Sequence, residues 1–344
     1  MKLALLVVLL LNITLQTIAQ KDSGTFYYNI ANTNYTEKKY SVAEKNYLRS
    51  ITFNPNNVNG HTELAQCYMA MKQYNKATET FKNIEKLDAN NAMALENLVT
   101  MSYNNFKWDD AIAYGKKCLA LKIGKGINYK IAKSYYKLED LSNSSKYLQA
   151  AANEDPTNAD VPYTMAEIWL DANNTKRALE MYEIALSIDT TKATWYYETA
   201  STYETINNFA KAAAYYQKAI DKGITNDLSM QTTLGIVLLN NGNFEKGNTL
   251  LEKVVAKKPL DKVLLNNIAY TYYTKKKYNN AIEWWDKILH IDKNDAKTLY
   301  MIGMAYQKDG NDAKGKKLCD VAITMDPTLA SMRKEMQQPL NMGL

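Results

Sequence analysis

A small residue recurs through this 344-residue chain at an almost fixed interval: Ala43, Ala77, Ala111, Ser144, Ala178, Ala212, Gly247, Ala281 and Gly315. The steps are 34, 34, 33, 34, 34, 35, 34 and 34 residues. Such a period means one supersecondary unit copied nine times, each copy unable to bury its apolar face without a neighbour. A stacked array of this kind is built to present a surface, so the first question is what it holds.

Counted from nineteen residues ahead of each small residue, the units begin at Gly24, Val58, Ala92, Lys125, Ala159, Ala193, Leu228, Lys262 and Ala296, and the ninth ends at Leu329. Within a unit, a first helix is expected to carry a small residue at position eight, as in Ala31, Ala65, Ala132, Ala166, Ala200, Gly235, Ala269 and Gly303. An aromatic follows at position eleven in most units (Tyr68, Tyr135, Trp169, Tyr203, Tyr272, Tyr306) and opens the second helix at position seventeen (Tyr40, Tyr74, Trp108, Phe209, Phe244, Tyr278). Small residues let two backbones approach, and large ones fill the space around the contact. Each unit is therefore a helical hairpin. Proline at 55, 156, 259 and 327 stops several second helices, because it cannot continue one.

The combined pattern resembles the tetratricopeptide repeat, most closely over Tyr196–Ala219 and Leu265–Ile288. That resemblance implies an all-α, right-handed superhelical solenoid of about nine hairpins over residues 24–329. It also implies that the first helices line a concave groove, in a family that mostly binds proteins or peptides. The carboxylate clamp of one branch of the family requires lysine, asparagine and arginine at set places in three consecutive units. Asn267 followed by Lys297 is the nearest fragment, and Met301 stands where arginine is needed. Clamp function is not carried over.

Ahead of the repeats, residues 1–19 hold one lysine, an apolar run from Leu3 to Leu11 and the ending Thr17-Ile18-Ala19. This is the pattern of a secretory signal peptide cleaved after Ala19. Asn12, Thr14, Gln16 and Thr17 interrupt the run well short of the roughly 20 apolar residues that a membrane span needs. The expected destination is the periplasm or cell surface of a Gram-negative bacterium, as a soluble protein. Residues 330–344, with Met332, Met336 and Leu340, are expected to form a helix capping the last repeat. The glycines at 124, 126 and 223 replace the proline stops and suggest a three-plus-three-plus-three layout with looser joints.

Catalysis and cofactors are not expected. The only histidines, His61 and His290, fall in the second and eighth units, so a paired metal site or a histidine-centred triad across them is implausible. The 13 glycines are scattered and form no phosphate loop or dinucleotide fingerprint. Cys67, Cys118 and Cys319 fall on packing faces and are expected to be buried free thiols.

With roughly 100° between helical residues, positions two, five, nine and twelve of each first helix point away from the packing set and are free to meet a ligand. Ten of the 26 tyrosines fall there: Tyr28, Tyr35, Tyr103, Tyr129, Tyr136, Tyr163, Tyr197, Tyr270, Tyr273 and Tyr300. The densest run, Tyr129, Lys133, Tyr136, Tyr163, Glu167 and Tyr197, is the expected contact surface. Tyrosine at these positions also supports the neighbouring repeat, and that role competes with binding. The expected partner is a protein or extended peptide. The alternative is a glycan or small ligand held by the tyrosine groove. A net charge of +6 does not imply nucleic acid, because Lys133 and Lys297 in the groove face Glu96, Asp160, Glu167 and Glu204. The excess lies in the acid-free stretch from Ala111 to Leu138, with Lys116, Lys117, Lys122, Lys125, Lys130, Lys133 and Lys137, a patch suited to an acidic partner or an anionic membrane surface.

Overall fold

The computed structural model describes residues 23–331. The leader at 1–19 and all of the tail beyond Ser331 lie outside the described residues. Eighteen α-helices and a closing 3-10 turn, and no strand, follow one another among the described residues. The chain falls into two compact units that meet in sequence at Asn174 and Thr175.

The first unit contains α1 (23–36), α2 (Tyr40–Phe53), α3 (Val58–Ala70), α4 (Tyr74–Leu87), α5 (Ala92–Asn104), α6 (Trp108–Leu121), α7 (Ile127–Lys137), α8 (Leu141–Glu154) and α9 (Asp160–Asp171). In the second are α10 (Thr175–Ile188), α11 (Ala193–Thr205), α12 (Phe209–Asp221), α13 (Leu228–Asn240), α14 (Phe244–Lys257), α15 (Lys262–Thr274), α16 (Tyr278–Ile291), α17 (Ala296–Lys308), α18 (Asp312–Met325) and the turn Pro327–Leu329. Each unit is a helical repeat solenoid in which a helix packs chiefly on its predecessor and its successor. Among the described residues no helix is long and apolar enough to cross a membrane.

Nine turns join first and second helices in the same way. The fifteenth residue of each repeat is left-handed: Lys38, Lys72, Phe106, Glu139, Asn173, Asn207, Gly242, Lys276 and Gly310 all have positive φ. The next N–H reaches back to the carbonyl five residues earlier, as from Gln73 to Tyr68 at 2.8 Å and from Lys107 to Ser102 at 2.9 Å. This Schellman closure satisfies carbonyls that the helix end leaves without partners. Second helices then start on a side-chain cap where the sequence supplies one, such as Asp140 accepting from the N–H of Asn143 or Asn208 accepting from that of Lys211.

Packing inside each hairpin follows the small-against-large rule. Ala65 and Ala77 are fully buried together with Phe81, and Ala269 and Ala281 with Trp285. Closest of all are α17 and α18, where a Cβ on Gly315 would stand 2.4 Å from the carbonyl oxygen of Gly303. Position twenty-four normally holds a large side chain: Tyr47, Leu148, Tyr216 and Leu251 are buried there. Gly115 and Cys319 break the rule, and each gap is filled from elsewhere. Ile131 occupies the space over Gly115, and Tyr300 sinks into a cluster with Cys319, Ala322 and Leu329. Tyr300 is fully buried, which corrects its expected place among the groove residues. The volume that cysteine leaves empty draws the ring inward.

The glycine junctions also differ from expectation, since the division of the chain falls inside the fifth hairpin rather than at either of them. Both junctions are anchored by isoleucine. Ile127 is buried and Ile123 packs against the same cluster, while Ile224 packs on α12 and α13 and closes a backbone bond to Ala219 at 2.9 Å. All three cysteines are free and buried.

Candidate functional site

The helix that carries half of the expected contact residues begins after Gly124-Lys125-Gly126. Gly126, with φ of +64°, offers its N–H to Glu154 Oε1 at 3.0 Å, and Asn128 Nδ2 donates to the other carboxylate oxygen at 2.9 Å. That clasp ties the start of α7 to the end of α8. Ile127, Ile131, Ala132 and Ser134 then turn into the core, and the 3.6-residue period leaves Tyr129, Lys133 and Tyr136 on the opposite stripe. Helix α9 buries Val161, Pro162, Thr164, Ala166 and Ile168, and Tyr163 and Glu167 share its other face.

One repeat period brings the two stripes together. Lys133 forms an ion pair with Glu167, 34 residues on, and its Nζ lies 3.4 Å from Thr164 Oγ1. The same ammonium stands over the rings of Tyr136 at 5.0 Å and Tyr163 at 5.9 Å, and Lys137 stands over Tyr136 at 5.3 Å. Tyr136 donates its hydroxyl proton to Asp171 Oδ2 at 2.9 Å. Tyr129 lies close to Thr164 and to Tyr103 of α5, and burial drives its phenol well above the ordinary value. An open depression of about 530 Å³ lies beside this group, lined by Tyr136, Lys137, Glu139, Leu141 and Asp171.

Five of the six expected residues thus converge in the first unit. Tyr197 belongs to the second unit, where it is 40% exposed and stands edge to face with Tyr216 at 5.4 Å. Tyr216 in turn donates to Glu204 at 2.9 Å. Thr164 and Asp171 were passed over in the sequence, although both sit one period or slightly more beyond residues of α7. Asp171 follows Glu167 by four residues, which is the spacing of one helix face.

The lysine stretch does not form one free patch. Lys117 pairs with Glu85, Lys130 donates to Thr100 Oγ1 at 3.2 Å, Lys133 pairs with Glu167, and Lys116 lies over the Tyr135 ring at 5.4 Å. Elsewhere a lysine at position nineteen covers the aromatic at position eleven, as Lys76 does Tyr68, Lys211 does Tyr203 and Lys314 does Tyr306. Much of the lysine excess therefore serves the scaffold.

Models of the tetratricopeptide repeat match residues 24–57, 46–79, 126–158, 163–227, 232–296 and 296–329. The chain belongs to the tetratricopeptide repeat family. It is 20% identical over 312 residues to the protein CTR9 homolog of Arabidopsis thaliana, and 22% identical over 284 residues to superkiller protein 3 of Schizosaccharomyces pombe. These matches take in 78% and 77% of this chain but only 29% and 20% of the two relatives' lengths. Among solved structures, YrrB, a tetratricopeptide-repeat protein with an unusual peptide-binding site, is 23% identical with a TM-score of 0.38, covering 55% of this chain and 97% of its own. The C-terminal part of a tetratricopeptide-repeat protein from Cytophaga hutchinsonii is 19% identical with a TM-score of 0.46, covering 70% of this chain and 98% of its own. Scaffolds of this family are typically non-catalytic and fit protein–protein interaction in general terms.

Proposed function

We propose that this chain is an exported, non-catalytic scaffold of the cell envelope that holds a protein or extended peptide along α7 and α9, with Tyr129, Lys133, Tyr136, Tyr163 and Glu167 as the contact surface. The leader-like pattern at 1–19 supports export. Support for the surface comes from one observation: Lys133 lies over two tyrosine rings while Glu167 cancels its charge. The result is a neutral, aromatic platform whose side chains are already ordered, so a partner immobilises little on arrival.

A glycan in this groove is the weaker reading. Sugar hydroxyls need free polar partners, whereas the Tyr136 hydroxyl is engaged by Asp171 and Lys133 takes up Glu167 and Thr164. Contact with an anionic membrane is also less well supported, because the lysines of the stretch are divided among internal partners.

The test is selection of peptides from a random extended library on the full chain, followed by affinity measurement with Tyr136→Ala and Tyr163→Ala. Each ring is expected to contribute about 2 kcal/mol, so affinity should fall more than tenfold in either variant while helix content by circular dichroism is unchanged. Equal binding by the folded variants would assign the rings to support of the neighbouring repeats.

A further inference from the structure

The α7 and α9 face treats hydrogen-bond donors and acceptors unequally. At its centre the rings of Tyr129, Tyr136 and Tyr163 are half-buried, each with some surface left to solvent. The polar groups between them are already in use, since Lys133 takes up Glu167 and Thr164. A backbone N–H laid there would give up its water and find no acceptor. A donor does remain: the Lys137 ammonium stands over the Tyr136 ring at 5.3 Å and forms no ion pair among the described residues.

At the rim the balance reverses. The depression of about 530 Å³ carries two carboxylates, Glu139 and Asp171, against the one ammonium of Lys137. Glu139 makes no side-chain hydrogen bond or ion pair among the described residues, and Asp171 spends one oxygen on Tyr136. A second concavity of the same unit, of about 210 Å³ among α4, α5 and α6, is different. Its lining is polar, with Asn75, Ser102, Asn105, Lys107 and Asp110, and presents no ring.

Ring surface with a donor beside it and no free acceptor at the centre suits a chain that offers carbonyls but few N–H groups. Proline has no N–H, and a run of prolines forms the polyproline II helix, whose carbonyls are not bonded internally. The spacing also fits. The rings of Tyr136 and Tyr163 lie 5.0 and 5.9 Å from one ammonium, so their centres are at most about 11 Å apart, against about 9 Å for one turn of polyproline II. We propose that this face takes a proline-rich segment in polyproline II form, with prolines on Tyr136 and Tyr163 and a basic side chain of the same segment against Glu139 and Asp171. The proposal rests on the reading of α7 and α9 as a peptide-binding surface and names the class of peptide. Such a helix is ordered before it binds, which matches a surface whose own side chains are already ordered.

The experiment is calorimetric titration of the full chain with three peptides: decaproline followed by arginine, decaproline followed by glutamate, and a decamer of alternating alanine and glutamine followed by arginine. The first should bind at least about tenfold more tightly than the third and about threefold more tightly than the second. Tyr136→Ala and Tyr163→Ala should each lower its affinity more than about tenfold. Glu139→Gln leaves Lys137 balanced by Asp171 alone, so the preference for arginine over glutamate should fall toward one while the preference for proline stays. Asn105→Ala, in the other concavity, should change nothing. Equal binding of the alanine–glutamine peptide overturns the proposal, as does decaproline binding that both tyrosine variants leave intact. Library peptides that need Tyr136 yet carry no proline would overturn the proline assignment alone and keep the peptide-binding surface, whereas no binding by any library peptide removes both.

Discussion

The face of α7 and α9 and the cleft among α4, α5 and α6 lie in one compact unit, yet they treat their polar groups in opposite ways. On the first, Lys133, Glu167, Thr164, Tyr136 and Asp171 are consumed by one another. In the second, the side chains of Asn75, Ser102, Asn105, Lys107 and Asp110 make no hydrogen bond or ion pair within the chain. A conspicuous cluster of residue types is therefore a poor guide to availability. The saturated face can offer shape, rigidity and ring surface. The open cleft can exchange its waters for the hydroxyls of a ligand without breaking any bond inside the protein.

This contrast requires that the shared wall between the two regions stay closed, and Cys118 reports on it. The residue lies on α6 within the cluster of Leu95, Val99, Ile112, Ile127 and Ile131. Burial, with the nearby Glu96 adding to it, pushes its thiol from the ordinary 9.0 up to about 11. A raised value means that the thiol's contribution to stability is complete below 9 and is lost as pH rises toward 11. At pH 8 the thiolate is scarce as well as covered, so labelling by a maleimide should run orders of magnitude slower than in the urea-unfolded chain. Fast labelling of Cys118 in the native protein would mean that α6 and α7 part readily, and the two regions would no longer be distinct.

A smaller effect sharpens the same comparison. Lys133 and Glu167 have side chains only 14% and 22% exposed. Lys133→Met leaves the part-buried Glu167 carboxylate without its cation, and the expected loss is about 2 kcal/mol in urea unfolding. Adding Glu167→Leu should restore much of it, because a paired apolar replacement leaves no orphaned charge. If the single variant costs nothing, the network is solvent-screened and the face is no more rigid than the cleft.

What the sequence allowed a reader to see follows from where each interaction reaches. The period of small residues and the aromatics at positions eleven and seventeen report packing inside one hairpin, and those were legible directly. The left-handed turn residue was legible only where it is Asn173, Asn207, Gly242 or Gly310. At Lys38, Lys72, Phe106, Glu139 and Lys276 the backbone bond to the carbonyl five residues back holds a conformation that the side chain does not prefer. Tyr300 was misplaced because its position depends on Cys319 being small, a fact that lies nineteen residues away on another helix. The pairs Lys133–Glu167 and Tyr136–Asp171 join residues 34 and 35 apart. Opposite groups one period apart become neighbours when hairpins stack, so a search at that spacing finds them, whereas a helical wheel of one helix does not. The cleft gave no sign in the sequence, because its lining is drawn from three helices and the turn between two of them.

The smallest expected effects are on the stability of the cleft itself, and they decide whether its residues belong to the fold. Asn75→Ala, Asn105→Ala and Lys107→Ala remove side chains with no internal partner, so each should change the unfolding free energy by less than about 0.5 kcal/mol. At the neighbouring turn, Phe106→Asn has two opposed effects. An ordinary side chain in the left-handed region costs roughly 1–2 kcal/mol, of which asparagine recovers part, but the edge-to-face contact with Trp108, worth about 0.5–1.5 kcal/mol, is lost, so the net change by urea titration should stay within about 0.5 kcal/mol. Small values from all three alanine variants would show polar groups that folding does not need. Losses of about 1 kcal/mol or more from the three alanine variants would make the cleft a structural joint, and its difference from the saturated face would disappear.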